Sequence, residues 1–534
     1  MLSARLLFCP KVKSVPSFLA QTFMPFIGKL IKTAINVGSE LIDKEHSPHE
    51  TQQRVLINLL VSAKDTAFGL KYDFARIQAS GSPTEEFSDV VPTFDYDRMK
   101  EAWWNRTING EENIAWPGSP DYFALSAGTT GSESKRIPVT KEMIQTIRDT
   151  GIKQILSLSN HELPEEFFEK EIMMLGSSTD LQAVDDHYEG EISGISASNI
   201  PFWFKGYYKP GEDIAAIDDW DERVQKISER AKEWDIGAIS GIPSWIELML
   251  KKVIEFNGLD NIHDVWPNLK VYTSGGVAFD AYKRSFENHL ASPLLYLDTY
   301  LASEGFIAYQ SRANKDMSMQ LAYDGGIYFE FIPFEEQYFD DLGSPLPEAP
   351  ALSLAEVEEG LDYALLISTV AGAWRYSIGD TIKFTNKERA EIKITGRTKH
   401  FLNVVGSQLS VAKMNEGVQD LEVTFDISIP EFTVGAIKKE GKFYHQWYLG
   451  SEEFDHLNNE ELSAHLDKKL QGLNKNYEVA RGRALSGVMV NLIPSHLFHD
   501  WSERNKKKGG QIKTPRMMEE NDLTEFGKFI KSKS

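Results

Sequence analysis

Ser126-Ala127-Gly128-Thr129-Thr130-Gly131-Ser132-Glu133-Ser134-Lys135 is the most unusual stretch of this chain. Small residues let a backbone pass close to a ligand and expose consecutive N–H groups, which suits a phosphate. Ser and Thr add hydroxyl donors, and Lys135 adds positive charge. The stretch is not the strand–loop–GK[ST] phosphate loop, because no Gly-Lys-Ser/Thr occurs anywhere in the chain. An ordinary Ser/Gly/Thr turn would have the same composition, so the loop needs company before it carries chemistry.

Company appears on both sides. Helical apolar spacing covers residues 51–64, a second helix is expected over 141–159, and helix-like stretches in 222–256 flank the turn Ser240-Gly241-Ile242-Pro243. Short β-type runs follow at Leu269–Thr273, Leu294–Leu297, Ile327–Ile332, Tyr363–Ser368 and Thr381–Thr385, each bounded by Gly, Pro or Asp. Helices followed by strands, with small residues in the loops, predict an α/β core whose strand ends present a ligand site. Ser274-Gly275-Gly276-Val277 leaves one such strand and would complete a nucleotide site. Asp298-Thr299-Tyr300-Leu301-Ala302-Ser303-Glu304-Gly305 reads as a strand emptying into a loop that can stack a base and hold a cation. In Trp374-Arg375-Tyr376-Ser377-Ile378-Gly379-Asp380 the Asp stands in a turn, ready either to accept both hydroxyls of a ribose or to cap its own backbone.

Gly396-Arg397-Thr398-Lys399 marks a change of character. Beyond it about 140 residues carry strands of their own at Thr433–Ile437, Gln446–Leu449 and Val488–Leu492, with helices near 411–420 and 459–472, a typical domain size. The division expected is 1–23 as an extension, 24–395 as the large domain and 396–534 as the small one. Near the end, Gly509-Gly510-Gln511-Ile512-Lys513-Thr514-Pro515-Arg516 offers a glycine-flanked lysine, with a solvated basic tail as the plain alternative. His496 and His499 lack a third ligand nearby in sequence and read as surface or packing residues.

Composition narrows the class. Over 534 residues, 57 Lys+Arg stand against 79 Asp+Glu, a formal charge of −22, too acidic for a general nucleic-acid coat or a polybasic membrane binder. A 41% hydrophobic content is enough for a large core, and the single cysteine, Cys9, excludes an intramolecular disulfide and a Cys-based zinc cluster. Residues 1–39 hold no Asp or Glu, which fits either a targeting segment or an extension ahead of a true start at Met24. From Met24 an amphipathic helix is expected, with Phe26, Leu30, Ile31 and Ile35 near one face. No later window is apolar enough to span a bilayer, so the body of the protein is expected to be soluble; the further expectations are a cytoplasmic location and a monomer.

The order of these motifs is that of the adenylate-forming enzymes, and the chain resembles one family within them, the auxin-responsive promoter family of acyl-acid amido synthetases, of a bacterial type. The likeness runs from Met24 onward. SAGTTGSESKRIPVT is similar to the family's phosphate loop, Tyr300-Leu301-Ala302-Ser303-Glu304 to its Tyr-x-x-Ser-Glu turn, the segment ending at Asp380 to its Tyr-Arg-x-Gly-Asp element, and Gln511–Arg516 to its terminal lysine segment. Ala127 and Ala302 stand where serines are common in the family; neither change removes a backbone donor.

What the resemblance implies is an adenylate-forming α/β fold, a large N-terminal α/β domain with a small mobile α+β domain. ATP and Mg²⁺ would be used to convert a carboxylic acid into an acyl-adenylate, which then passes to an amine or amino acid. Ser126, Ala127, Gly128, Thr129 and Thr130 would cradle the phosphates, with Ser274, Gly275, Thr299, Tyr300 and Ser303 around the nucleotide. Asp380 would accept the ribose, Glu304 would hold the metal, and Lys513 would neutralise charge in the transition state. Gly396, Arg397 and Lys399 would form the hinge. Acid-binding residues are expected from 150–245 and around Val277–Phe279. Two other classes remain at this stage, an acyl-CoA ligase with the same first step and a catalytically lapsed binding or scaffold protein.

Overall fold

The computed structural model describes residues 47–533 apart from 127–133, 202–203, 276–278, 280–281, 315, 341–342, 399–400, 403–408, 440–441, 453–456, 475–476, 479–480, 482–484, 505–513 and 519. The helix expected from Met24, together with Ala127, Gly128, Thr129, Thr130, Lys399 and Lys513, lies outside the described residues. In chain order the strands of the large domain are β1 (Tyr122–Ser126), β2 (Lys135–Val139), β3 (Glu171–Leu175), β4 (Gln182–Val184), β5 (His187–Gly190), β6 (Tyr208–Lys209), β7 (Ile236–Gly241) and β8 (Val271–Gly275). They continue with β9 (Leu295–Ala302), β10 (Gly305–Tyr309), β11 (Met319–Leu321), β12 (Ile327–Pro333), β13 (Asp362–Thr369), β14 (Tyr376–Asn386) and β15 (Glu391–Arg397).

A mixed eleven-stranded sheet runs β12-β13-β14-β15-β11-β10-β9-β8-β7-β3-β6. Its β9-β8-β7-β3-β6 half is parallel, and the rest is an antiparallel meander. A second sheet, β2-β1-β5-β4, carries residues 127–134 between β1 and β2. The helix α1 (Pro48–Ala63) starts with a reciprocal cap, in which Ser47 Oγ accepts from the Glu50 N–H and the Glu50 carboxylate accepts from the Ser47 N–H at 2.8 Å. Its face of Leu56, Leu59, Leu60 and Ala63 is buried. Buried Gln52 donates to the carbonyls of Tyr323 (2.6 Å) and Ile327 (2.8 Å) and accepts from the Phe329 N–H (2.7 Å). A helix thereby covers the exposed edge of β12 and satisfies its ladder groups, as an edge strand requires.

Each run expected as a strand is a strand. Several strands have no sequence-based counterpart, among them β1, β2, β3, β10, β11 and β15; another, β7, Ile-Gly-Ala-Ile-Ser-Gly, is apolar or small and largely buried, the pattern of a parallel strand covered on both faces. Three other boundaries differ. The run from Asp298 does not empty into a loop; β9 continues to Ala302, and Ser303-Glu304 is the two-residue turn of a tight hairpin into β10. Asp380 is not in a turn either, because β14 already begins at Tyr376 and pairs with β13 and β15. Gly396 and Arg397 belong to the sheet rather than to a connection, opposite Thr381 and Asp380. In all three cases ladder hydrogen bonding extends a strand through residues whose local chemistry favours turns.

The small domain is built on β16 (Glu431–Lys439), β17 (Lys442–Ser451) and β18 (Leu485–Pro494), in that spatial order. Around them lie the helices at Val411–Phe425, Asn459–Leu473, His496–Arg504 and Glu520–Lys533. Consecutive residues Trp447 and Tyr448 face opposite sides, and each seeds a separate apolar cluster, Trp447 with Leu421, Val434 and Leu466, Tyr448 with Phe498, Leu523 and Phe526. His496 is exposed and His499 half-buried. No helix among the described residues is long and apolar enough to cross a membrane.

Candidate active site

The hairpin turn after β9 aims Glu304 at the start of β14. Glu304 is 9% exposed and Tyr376 1%, and burial together with the nearby Glu304 charge holds the Tyr376 phenol well above its usual value. Burial pushes the Glu304 carboxyl above its ordinary range, while Lys135 and Arg397 pull it back down. Lys135 opens β2 directly opposite Ser126 at the end of β1, and its ammonium lies 5.1 Å above the Tyr96 ring. The foot of the hydroxyl-rich loop is therefore joined electrostatically to the Tyr-Glu turn, 178 positions away by number from Ser126 to Glu304.

Asp380 also lies within electrostatic reach of Glu304, past an irregularity in β14 where the register with β13 shifts and Gly379 takes a φ of +86°. The Asp380 carboxylate accepts from the Tyr300 hydroxyl on β9 and from Arg397 Nε, at 2.7 Å, on β15. Burial and the adjacent Asp380 charge hold the Tyr300 phenol well above its usual value, so it stays a donor. Asp380 holds the Arg397 guanidinium above its ordinary value. An ionised carboxylate has about four acceptor positions, so two remain for a diol. The β8 end completes the arc, with Ser274 beside Asp298 and Gly275 beside Thr299, where a Cβ on Gly275 would come within 3.4 Å of Thr299 Oγ1.

Of the sequence-expected residues, the structure brings together Ser126, Thr299, Tyr300, Ser303, Glu304, Ser274, Gly275, Asp380 and Arg397 around the ends of β1, β8, β9 and β14. Arg375, inside the quoted motif, belongs elsewhere. Its Nε reaches both oxygens of Glu330 (3.0 and 3.1 Å), and a terminal nitrogen donates to the Ser88 and Val91 carbonyls, each at 2.6 Å. Two participants have no place in this cluster on sequence grounds. Tyr376 stands in the sequence only as part of a motif, and no simple alternation links it to Asp380, because the strand is irregular at Gly379 between them. Arg397 was expected to be a hinge residue, and nothing local reveals that it faces Asp380.

A model of the GH3 family N-terminal domain matches residues 38–225, one of the central domain 321–397, and one of the C-terminal domain 412–522. The chain belongs to the GH3 family. An indole-3-acetic acid-amido synthetase of Arabidopsis thaliana, GH3.4, is 23% identical over 91% of this chain and 92% of its own length. Another from that plant, GH3.2, is 26% identical over 41% of this chain, and the match spans only 42% of that relative. The GH3.15 acyl acid amido synthetase structure superposes with a TM-score of 0.76 at 15% identity, covering 94% of this chain and 96% of that one. A 2-hydroxyisobutyryl-CoA ligase structure reaches 0.56 at 12% identity, over 91% and 92%. This GH3 chain thus has the mixed α/β adenylate-forming fold, with a large N-terminal and a smaller C-terminal domain.

The residues present fit a divalent cation bound mainly through substrate. Among the described residues no group of three or more His, Cys, Asp or Glu could hold an ion alone. A single carboxylate plus nucleotide phosphates is the usual way Mg²⁺ is held in such sites.

Proposed function

We propose that this GH3 protein is an ATP-dependent acyl-acid amido synthetase. A carboxylate oxygen of the acid attacks the α-phosphorus of ATP, pyrophosphate leaves, and an acyl-adenylate forms. An amine nitrogen, as in an amino acid, then attacks the activated carbonyl carbon, AMP departs, and the nitrogen loses a proton to give the amide. The observation that carries this reading is the joined Lys135–Glu304–Tyr376 and Tyr300–Asp380–Arg397 network, which gathers four sequence-distant motifs at one set of strand ends.

In this reading Asp380 accepts the ribose hydroxyls with the acceptor positions left by Tyr300 and Arg397. Ser126, Gly128, Thr129 and Thr130 cradle the phosphates through hydroxyl and N–H donors, with Ala127 contributing backbone only. Ser274, Gly275, Thr299, Tyr300 and Ser303 line the nucleotide. Glu304 holds Mg²⁺, which when bound neutralises phosphate charge. Lys513 supplies a cation where negative charge builds, and such an electrostatic contact is commonly worth a factor of ~10² to 10³ in rate. The small domain, 396–534, turns about a hinge beginning at the end of β15 and including Lys399. The chain works as a cytoplasmic monomer.

Carboxylate-dependent ATP–pyrophosphate exchange across aromatic, fatty and hydroxy acids tests the first step. Absence of exchange with every acid would defeat the enzymatic reading in favour of a scaffold. Offering amino acids and coenzyme A to an active acid tests the second: thioester without amide would make the protein an acyl-CoA ligase.

A further inference from the structure

We propose that Lys100 binds the pyrophosphate end of the nucleotide, contacting the β- and γ-phosphates of ATP and the pyrophosphate that leaves. The proposal rests on the ATP-dependent reading above and brings in a residue outside the motifs that resemble the family's.

Lys100 stands in one helical run, Tyr96–Ile108, whose middle, Lys100–Trp104, is a π-helical turn. Such turns recur at functional sites. Asp95 caps the run by accepting from the Arg98 N–H at 3.0 Å. Four positions separate Tyr96 from Lys100, so both project from one face, and the Lys100 ammonium lies 5.9 Å above the Tyr96 ring. Lys135, from the first position of β2, reaches the same ring at 5.1 Å. The Tyr96 hydroxyl accepts from the Arg136 N–H at 2.9 Å, which fastens the ring to the strand that leaves the hydroxyl-rich loop. Two ammoniums from distant parts of the chain are thus gathered on one buried aromatic ring.

A second path joins this ring to the site. Tyr96 packs on Trp104 (ring centroids 6.0 Å) and Trp104 on Tyr376 (5.4 Å), whose phenol feels both Glu304 and Tyr96. Availability separates Lys100 from other cations of the site. Arg136 is committed to Glu189 at 2.7 Å, and Arg397 to Asp380 at 2.7 Å. Among the described residues, half-buried Lys100 forms no ion pair and no side-chain hydrogen bond. Of the acids next to it in sequence, Asp95 accepts from the Arg98 N–H and the Ser344 hydroxyl (3.2 Å), while Asp97 and Glu101 are exposed. In a chain of charge −22, a cation without a carboxylate beside a nucleotide site supplies the local positive potential that an anion needs.

The reaction has a use for it. As the acid's carboxylate oxygen bonds to the α-phosphorus, the bond to the bridging oxygen breaks and its electron pair leaves on pyrophosphate. A cation over the β- and γ-phosphates meets that charge both in bound ATP and in the departing group. Its contribution is therefore to the binding of both, rather than to the transition state alone.

The test compares ligands that have this end with one that lacks it. Isothermal titration gives the Kd of ATP and of AMP, and exchange kinetics give the KM of pyrophosphate, in the full chain and in Lys100→Gln, Lys100→Arg and Arg106→Gln. The last variant removes a cation of the same helical run that is already paired with Glu111 (2.8 Å). In Lys100→Gln the ATP Kd and the pyrophosphate KM should each rise by about 10-fold, with AMP affinity, exchange kcat and melting temperature unchanged. Lys100→Arg should restore most of the loss, and Arg106→Gln should behave as the native protein. Native ATP and pyrophosphate constants in Lys100→Gln overturn the assignment. Equal weakening of ATP and AMP overturns it by making the lysine structural, and an equal effect of Arg106→Gln overturns it by tracing the loss to the general field. Failure of the native protein to bind ATP or AMP overturns the ATP-dependent reading itself, and the assignment with it.

Discussion

Asp380 and Arg397 stand directly opposite one another on adjacent antiparallel strands, with Arg397 Nε 2.7 Å from Asp380 Oδ1. The Asp380 side chain is thereby aimed before any ligand arrives, because its rotamer is set by Arg397 on one oxygen and Tyr300 on the other.

Removing that carboxylate should weaken ATP. Asp380→Ala is expected to raise the ATP dissociation constant by about 10- to 100-fold, the range for losing hydrogen bonds to a charged acceptor. Isothermal titration with ATP measures it, and an unchanged affinity would remove Asp380 from the ribose site.

Lys513→Ala separates binding from chemistry. A cation acting only where charge develops leaves ground-state affinity intact, so ATP binding should hold while pyrophosphate exchange falls by ~10² to 10³-fold. Near-normal exchange would disprove the assignment.

Glu422 makes small-domain stability depend on pH. Burial pushes its carboxyl up to about 7, against the stabilising 2.6 Å bond from the Ile429 N–H and the nearby Arg284 charge. The folded state then holds a proton that the unfolded chain releases near the ordinary value of 4.5. Its favourable contribution is complete below the unfolded value and is lost as pH rises through the folded one, by at most ~3 kcal/mol. Denaturant unfolding across that window should show stability declining with pH, and Glu422→Gln should flatten the decline. A slope unaltered by the substitution would place the titrating group elsewhere.

Arg375→Met should destabilise the large domain by about 3–5 kcal/mol, because it leaves the Glu330 carboxylate buried without its cation and frees the Ser88–Val91 carbonyls. Adding Glu330→Met should recover part of the loss in denaturant unfolding. If the double variant is as unstable as the single one, the carbonyl contacts rather than the ion pair hold this region.

Much of the candidate site was legible because its motifs are local. The hydroxyl-rich loop, the Tyr-x-x-Ser-Glu turn and the Gly-Asp pair each declare themselves within ten residues. Strand β7 did not, since an apolar stretch without alternation looks the same in a buried strand and a buried helix. Asp380, Gly396 and Arg397 carry turn-type chemistry on paper, and only cross-strand pairing makes them ladder residues. Arg375 lies in the same motif as Asp380, yet Glu330, 45 positions earlier, takes its guanidinium, a pairing that no local window contains.

By itself the sequence determined the family, the α/β class, some of the strands of each domain, and the acidic background of −22. Apolar periodicity and turn chemistry act over a few residues, so a linear reading captures them. Tertiary structure alone decided which charges face one another: Lys135 with Glu304, Arg397 with Asp380, and Arg375 with Glu330. These pairings follow from strand register and from burial, where an unpaired charge is expensive. Both arise from contacts between distant parts of the chain, and no local window contains them.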